Sequence, residues 1–90
     1  MNHPSLFDLI DAELKTNVQL EGSQRSEDAD GRVWAKDAAA AKIAPAGTTG
    51  ITVMLLSRDR IVHERTFAAS PLSIARIVRT ITEHLTGYAN

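Results

Sequence analysis

The stretch GITVMLLSRDRIVHERTFAASPLSIARIVRTITEHL, residues 50–85, is the only continuous run in this chain that reads as two apolar strands, a turn and a strongly amphipathic helix. Residues 51–57 are rich in β-branched and large apolar side chains and begin just after the turn-forming Gly47-Thr48-Thr49-Gly50. Ile51, Val53 and Leu55 point one way and Thr52, Met54 and Leu56 the other, as expected of an inner strand. A second, more polar strand follows over 61–68, joined through Arg58-Asp59-Arg60. With no glycine to supply positive φ, that connection is expected to use type I geometry rather than a tight primed turn. The loop length decides whether His63 and Arg65, or Glu64 and Thr66, share the face of Ile51, Val53 and Leu55, because a slip of one residue exchanges the faces.

The closing helix is predicted over 71–86. Ser70 can cap it, Pro71 suits its first position, and Gly87 follows its last turn. At about 100° per residue, Ile74, Ile77, Val78, Ile81 and Leu85 form one stripe, with Arg76, Arg79 and Glu83 opposite. Burying those five side chains contributes on the order of 1.5–3 kcal/mol each, enough to dominate a small domain. Leu72 falls on the polar side and serves either as a hydrophobic staple or as part of a contact surface.

Working back to the amino terminus, Ser5 and Asp8 have capping-box spacing, and Leu6, Phe7, Ile10 and Leu14 share one side of a helix expected to reach about Thr16. Residues 17–21 alternate in a way that fits a short strand, and 22–31 read as a flexible acidic loop. The alanine-rich run 35–44 has high helix propensity and is stopped by Pro45 and Gly47, so an extra helix is expected there. The competing reading makes 32–36 a strand paired with 17–21. The sum is a single small α+β domain over 1–90: a helix, a small antiparallel sheet ending in the hairpin, and a helix packed on it.

Ninety residues, 43% of them apolar, support one modest core whose stability is marginal or shared with a partner. The absence of cysteine excludes disulfides and thiolate metal sites and fits a reducing compartment. Without a basic, then apolar leader or a long apolar run, a cytoplasmic protein away from membranes is expected. The formal charge of −1 divides unevenly: residues 1–49 hold 8 acids and 5 bases, residues 50–90 hold 3 acids and 5 bases. Neither half is extreme enough to name a partner.

Four features bear on chemistry. Residues 26–37 resemble a twelve-residue calcium loop, with Ser26, Asp28, Asp30, Arg32 (by its carbonyl) and Asp37 at ligand positions, Gly31 at the turn and Val33 at the apolar position. A closing Asp followed by a helix is similar to the dockerin variant of the EF-hand. The loop departs from the pattern in having Ser at its first position, no incoming helix and no second copy, and a plain turn and cap accounts for the same residues. Arg58, Arg60, Arg65, Arg76 and Arg79 are a second feature, suited to phosphate, and define the alternative of a nucleic-acid-binding domain, with ordinary solvated arginines as the plain reading. A helix, strands, helix order is topologically compatible with a double-stranded RNA-binding domain, but Ser70-Pro71-Leu72-Ser73 lacks the lysines placed there and aromatic residues are scarce. His63 and His84 each neighbour a glutamate, yet adjacency in a strand or helix does not converge side chains, and no HExxH, nucleophile elbow or phosphate loop is present. No cofactor and no enzymatic activity are expected.

The fourth feature is the hairpin edge, which invites pairing with another chain or a second copy. The expected function is therefore a non-enzymatic protein-binding module using Arg58, Arg60, Arg65, Leu72, Arg76 and Arg79, with a homodimer and a monomer both open. Small accessory or inhibitor proteins of phage and mobile elements, anti-CRISPR proteins among them, share this size and lack of catalytic motifs, which is an analogy of size class.

Overall fold

The computed structural model describes residues 6–18, 22–25 and 31–87. The chain folds as α1 (Leu6–Asn17), β1 (Gly22–Arg25), β2 (Arg32–Lys36), β3 (Ala39–Ala46), β4 (Gly50–Ser57), β5 (Arg60–Ala68) and α2 (Pro71–Leu85). The five strands form one antiparallel sheet in the order β1-β2-β3-β4-β5, so each strand pairs with its neighbour in sequence. The α+β class, the first helix, the hairpin and the last helix stand as the sequence predicts.

Both helices pack on one face of the sheet. Phe7, Ile10 and Leu14 of α1, with Val18 just after it, meet Trp34, Ala41, Ile43, Ile51, Val53, Leu55 and Phe67 of the sheet, and Ile77, Val78, Ile81 and Leu85 of α2 complete the core. The stripe predicted for α2 is buried apart from Ile74, which packs at its margin. The Ser70 hydroxyl accepts from the Leu72 backbone N–H at 3.2 Å, Pro71 opens the helix, and Gly87 leaves it at φ 72°.

Three expectations are corrected. The first concerns 35–44, which is not a helix: Ala35 and Lys36 end β2, Asp37 and Ala38 form a two-residue turn with Asp37 at φ 56°, and β3 begins at Ala39. Ala41 lies directly between Trp34 on β2 and Leu55 on β4, all three facing the helices. The large indole needs a small neighbour in that row, so close packing against the core overrides the helix propensity of alanine.

The second concerns residues 17–25, of which 19–21, like 26–30 of the expected flexible acidic loop, lie outside the described residues. Asn17 ends α1 and Val18 folds into the core, its N–H donating to the Leu14 carbonyl at 2.8 Å, so no strand begins at 17. The partner of β2 is β1, which occupies the first part of the expected acidic loop, in a register that sets Gly22 opposite Ala35 and Arg25 opposite Arg32.

The third is the β4–β5 turn. Arg58 and Asp59 lie at φ 53° and 67°, the double left-handed geometry of a type I′ turn. Its twist matches that of the flanking strands, which compensates for holding two non-glycine residues at positive φ, and the Arg58 N–H is tied to the Ala38 carbonyl at 2.9 Å. A bulge beyond it takes the register from Leu56↔Ile61 to Leu55↔His63, leaving Val62 as the extra residue. His63 and Arg65 thereby share the face of Leu55 and Val53, while Glu64 and Thr66 lie behind Met54 and Thr52.

Candidate binding surface beside the last helix

The strand β5 is the outermost on its side of the sheet, and past Phe67 its helix-facing side chains run out from under α2. The polar stripe of α2 borders that strip. Arg65 and Phe67 from β5, with Arg76, Arg79, Thr80 and Glu83 from α2, line a concavity of about 310 Å³. The Arg65 guanidinium lies 5.0 Å from the centroid of the Phe67 ring, a cation–π contact that holds the charge at the rim. Arg79 pairs with Glu83 at 3.3 Å, both well exposed. Among the described residues Arg65 and Arg76 make no ion pair.

Leu72 is 88% exposed, so it is not a buried staple. It stands on the same stripe as Arg76 and Arg79, with Arg79 about 10 Å further along the helix at 1.5 Å per residue. Of the six residues expected to bind, Arg65, Leu72, Arg76 and Arg79 therefore form one continuous ledge. Arg58 and Arg60 lie apart from it, exposed at the tip of the β4–β5 hairpin.

The two histidines do not meet a common partner. His63 is exposed on the helix side of β5. His84 turns inward and its Nε2 donates to the Leu56 carbonyl at 2.7 Å, beside the bulge, while Glu83 points to Arg79.

Of the residues placed in a calcium loop, Ser26, Asp28 and Asp30 lie outside the described residues. Arg32 and Asp37 belong to β2 and the turn after it, and the segment following Asp37 is a strand rather than the exiting helix such a loop requires. Gly31 has a different reason to be glycine. A Cβ there would sit 2.3 Å from the Ile43 carbonyl oxygen, so the close approach of the β3 backbone excludes any side chain. The Arg32 Nη2 donates to Asp8 Oδ1 and its Nη1 lies 3.9 Å from Asp11 Oδ2, which turns this arginine toward α1. Asp37 Oδ2 stands 3.6 Å from Lys36 Nζ. Among the described residues no three histidine, aspartate or glutamate side chains cluster in a way that could hold a metal ion.

A network centred on Asp11 escaped the sequence reading. The indole N–H of Trp34 donates to Asp11 Oδ1 at 2.6 Å, and Lys15 pairs with Asp11 Oδ2 at 3.1 Å. The i, i+3 spacing of Asp8 and Asp11 puts both carboxylates on one side of α1 and was the available signal. No helix among the described residues is long and apolar enough to cross a membrane. Comparisons of the chain with known protein families, with curated proteins and with solved structures return no match.

Proposed function

We propose that this chain is a non-enzymatic protein-binding module, acting as an accessory or inhibitor of a larger complex, and that it docks an acidic protein surface on the ledge beside α2. The observation that carries the reading is the convergence of Arg65, Arg76 and Arg79 from two elements around one concavity, with Glu83 as the one acid among the described residues that line it. Arginine on a rigid scaffold beside exposed apolar surface has the composition of an interface hot spot, and Leu72 supplies the apolar component. A protein partner is favoured over nucleic acid by the aromatic inventory of the ledge. Phe67 is mostly buried and already covered by Arg65, which leaves no open ring for a base.

The test is affinity capture from the source cell's lysate with nuclease present. Wild-type protein is expected to retain a stoichiometric protein partner that the doubly reversed Arg76→Glu/Arg79→Glu chain loses. A Lys15→Glu/Lys36→Glu chain, with the same change of net charge elsewhere, should keep it. Capture unaffected by reversal of Arg76 and Arg79 removes the ledge. Recovery only of nucleic acid, falling steeply with salt, transfers the ledge to a nucleic-acid-binding function.

A further inference from the structure

The face of the sheet turned away from the helices is uncovered by any described element, and its composition is unusual for a solvated surface. The outward positions of β2 to β5 hold Ala, Val, Met, Leu, Ile, Gly and Thr, and only two charges, Lys42 and Glu64. Antiparallel sheets with one wet face normally alternate apolar with polar residues. Here Leu56 and Met54 of the penultimate strand are half-buried on the open face, and Ile61 at its margin is 56% exposed.

We infer that this face is the interface of a homodimer, two sheets packed face to face about a two-fold axis running along β4. The placement of the two charges is the first support. Lys42, Met54 and Glu64 lie in one cross-strand row, on β3, β4 and β5. A two-fold axis along β4 sets β3 of one copy over β5 of the other, so Lys42 faces the partner's Glu64, and Glu64 the partner's Lys42, with Met54 against Met54. Both charges are answered by the same operation, as an isologous interface demands.

Size complementarity is the second support. In the next row Ala40, Leu56 and Ile61 are in register on the same three strands. The same axis places Ala40 opposite the partner's Ile61, small against large, and leaves Leu56 on Leu56. Sheets so packed stand about 10 Å apart with strands within about 30° of alignment, which keeps both rows in contact near the axis. About this axis β3, β4 and β5 are the strands that overlap, and at about 4.8 Å apart and roughly 25 Å long they give a face of about 360 Å² per copy, so about 700 Å² in total, the size of a weak, transient interface. The dimer is therefore in concentration-dependent exchange with monomer. The ledge beside α2 stays outside the interface, so this inference stands or falls separately from the docking proposal.

The experiment is sedimentation-equilibrium ultracentrifugation of the full chain over a range from about 1 to several hundred micromolar, where an interface this small dissociates. Wild type is expected to pass from monomer to dimer. Lys42→Glu and Glu64→Lys each set like charges face to face twice per dimer and should weaken association at least about tenfold. An equimolar mixture of these two variants restores both opposite-charge contacts and should form a one-to-one heterodimer, and the double variant Lys42→Glu/Glu64→Lys should dimerise alone. Far-ultraviolet circular dichroism confirms that each single variant is folded, and the double variant and Met54→Asp carry the test if one is not. A wild type that stays monomeric throughout, a dimer indifferent to Met54→Asp, or charge-exchanged variants that fail to associate would each overturn the inference.

Discussion

Removing the Asp11 carboxylate is expected to cost far more than a residue on the rim of a helix ordinarily would. Asp11 accepts the indole N–H of a fully buried tryptophan at 2.6 Å and also flanks Arg32, whose side chain is only 12% exposed. In Asp11→Ala the Trp34 N–H has no acceptor and no access to water, which costs about 1–3 kcal/mol. Arg32 keeps Asp8 but loses its second carboxylate, and at 3.9 Å that pair adds the smaller share. Together the loss should be about 2–3 kcal/mol, a large fraction of what a domain this small has, and each kcal/mol lowers Tm by roughly 4–8 °C. Trp34 is the only tryptophan, so urea unfolding followed by its fluorescence reads the change directly. Asp11→Asn retains an oxygen for the indole and should lose about 1 kcal/mol. A double-mutant cycle with Trp34→Phe, followed by circular dichroism, should return a coupling of about 1–2 kcal/mol. A loss under about 0.5 kcal/mol in Asp11→Ala, or a coupling indistinguishable from zero, would refute the view that this carboxylate anchors α1 to the sheet.

Three further outcomes are expected. Gly31→Ala drives a methyl group into the Ile43 backbone carbonyl and should destabilise by at least about 2 kcal/mol in chemical denaturation, whereas a turn glycine of the calcium-loop kind would accept alanine with less damage. Arg58→Asn with Asp59→Gly relaxes two residues held at positive φ and should raise stability by about 0.5–1 kcal/mol, seen as a higher Tm; a type I turn would gain nothing from the exchange. His84→Ala leaves the Leu56 carbonyl without its donor and should cost about 1 kcal/mol, with faster amide exchange confined to the hairpin tip and the last turn of α2.

The elements that could be read from the sequence are those where local chemistry and tertiary burial agree. Ser70, Pro71 and the stripe from Ile77 to Leu85 each point to the same helix, and Ile51 to Leu55 alternate as the buried strand they form. The alanine run reads as helix because its preference is local, while the place of Ala41 is set by Trp34 across the sheet and that of Ala40 by Ala35 on the other face. The β4–β5 turn was misread for the opposite reason: a type I′ geometry without glycine is disfavoured locally and is held by the strands on either side. Of the binding ledge, the α2 half was legible from helical period alone. Its β5 half depended on the extra residue at Val62, which no pattern in Ile61-Val62-His63 announces and which decides that Arg65 faces α2 rather than the open side. The uncovered face was not legible because β3, one of its inner strands, reads as helix, so the alternation of Ala40, Lys42 and Ala44 has no sheet face to belong to until that strand is placed.

The sequential order of the strands also bears on how the chain reaches this structure. Every ladder closes through a connection between neighbours in the chain, and the three hairpins from β2 to β5 close through two or three residues, so little chain entropy is lost in building them. The one packing step that joins the two ends of the sequence is α1 against α2. Folding should therefore be quick for a sheet protein, with the β3 to β5 region and α2 structured in the transition state and α1 docking late. On that route, substitutions at Ile10 or Leu14 accelerate unfolding, and substitutions at Val53 slow folding.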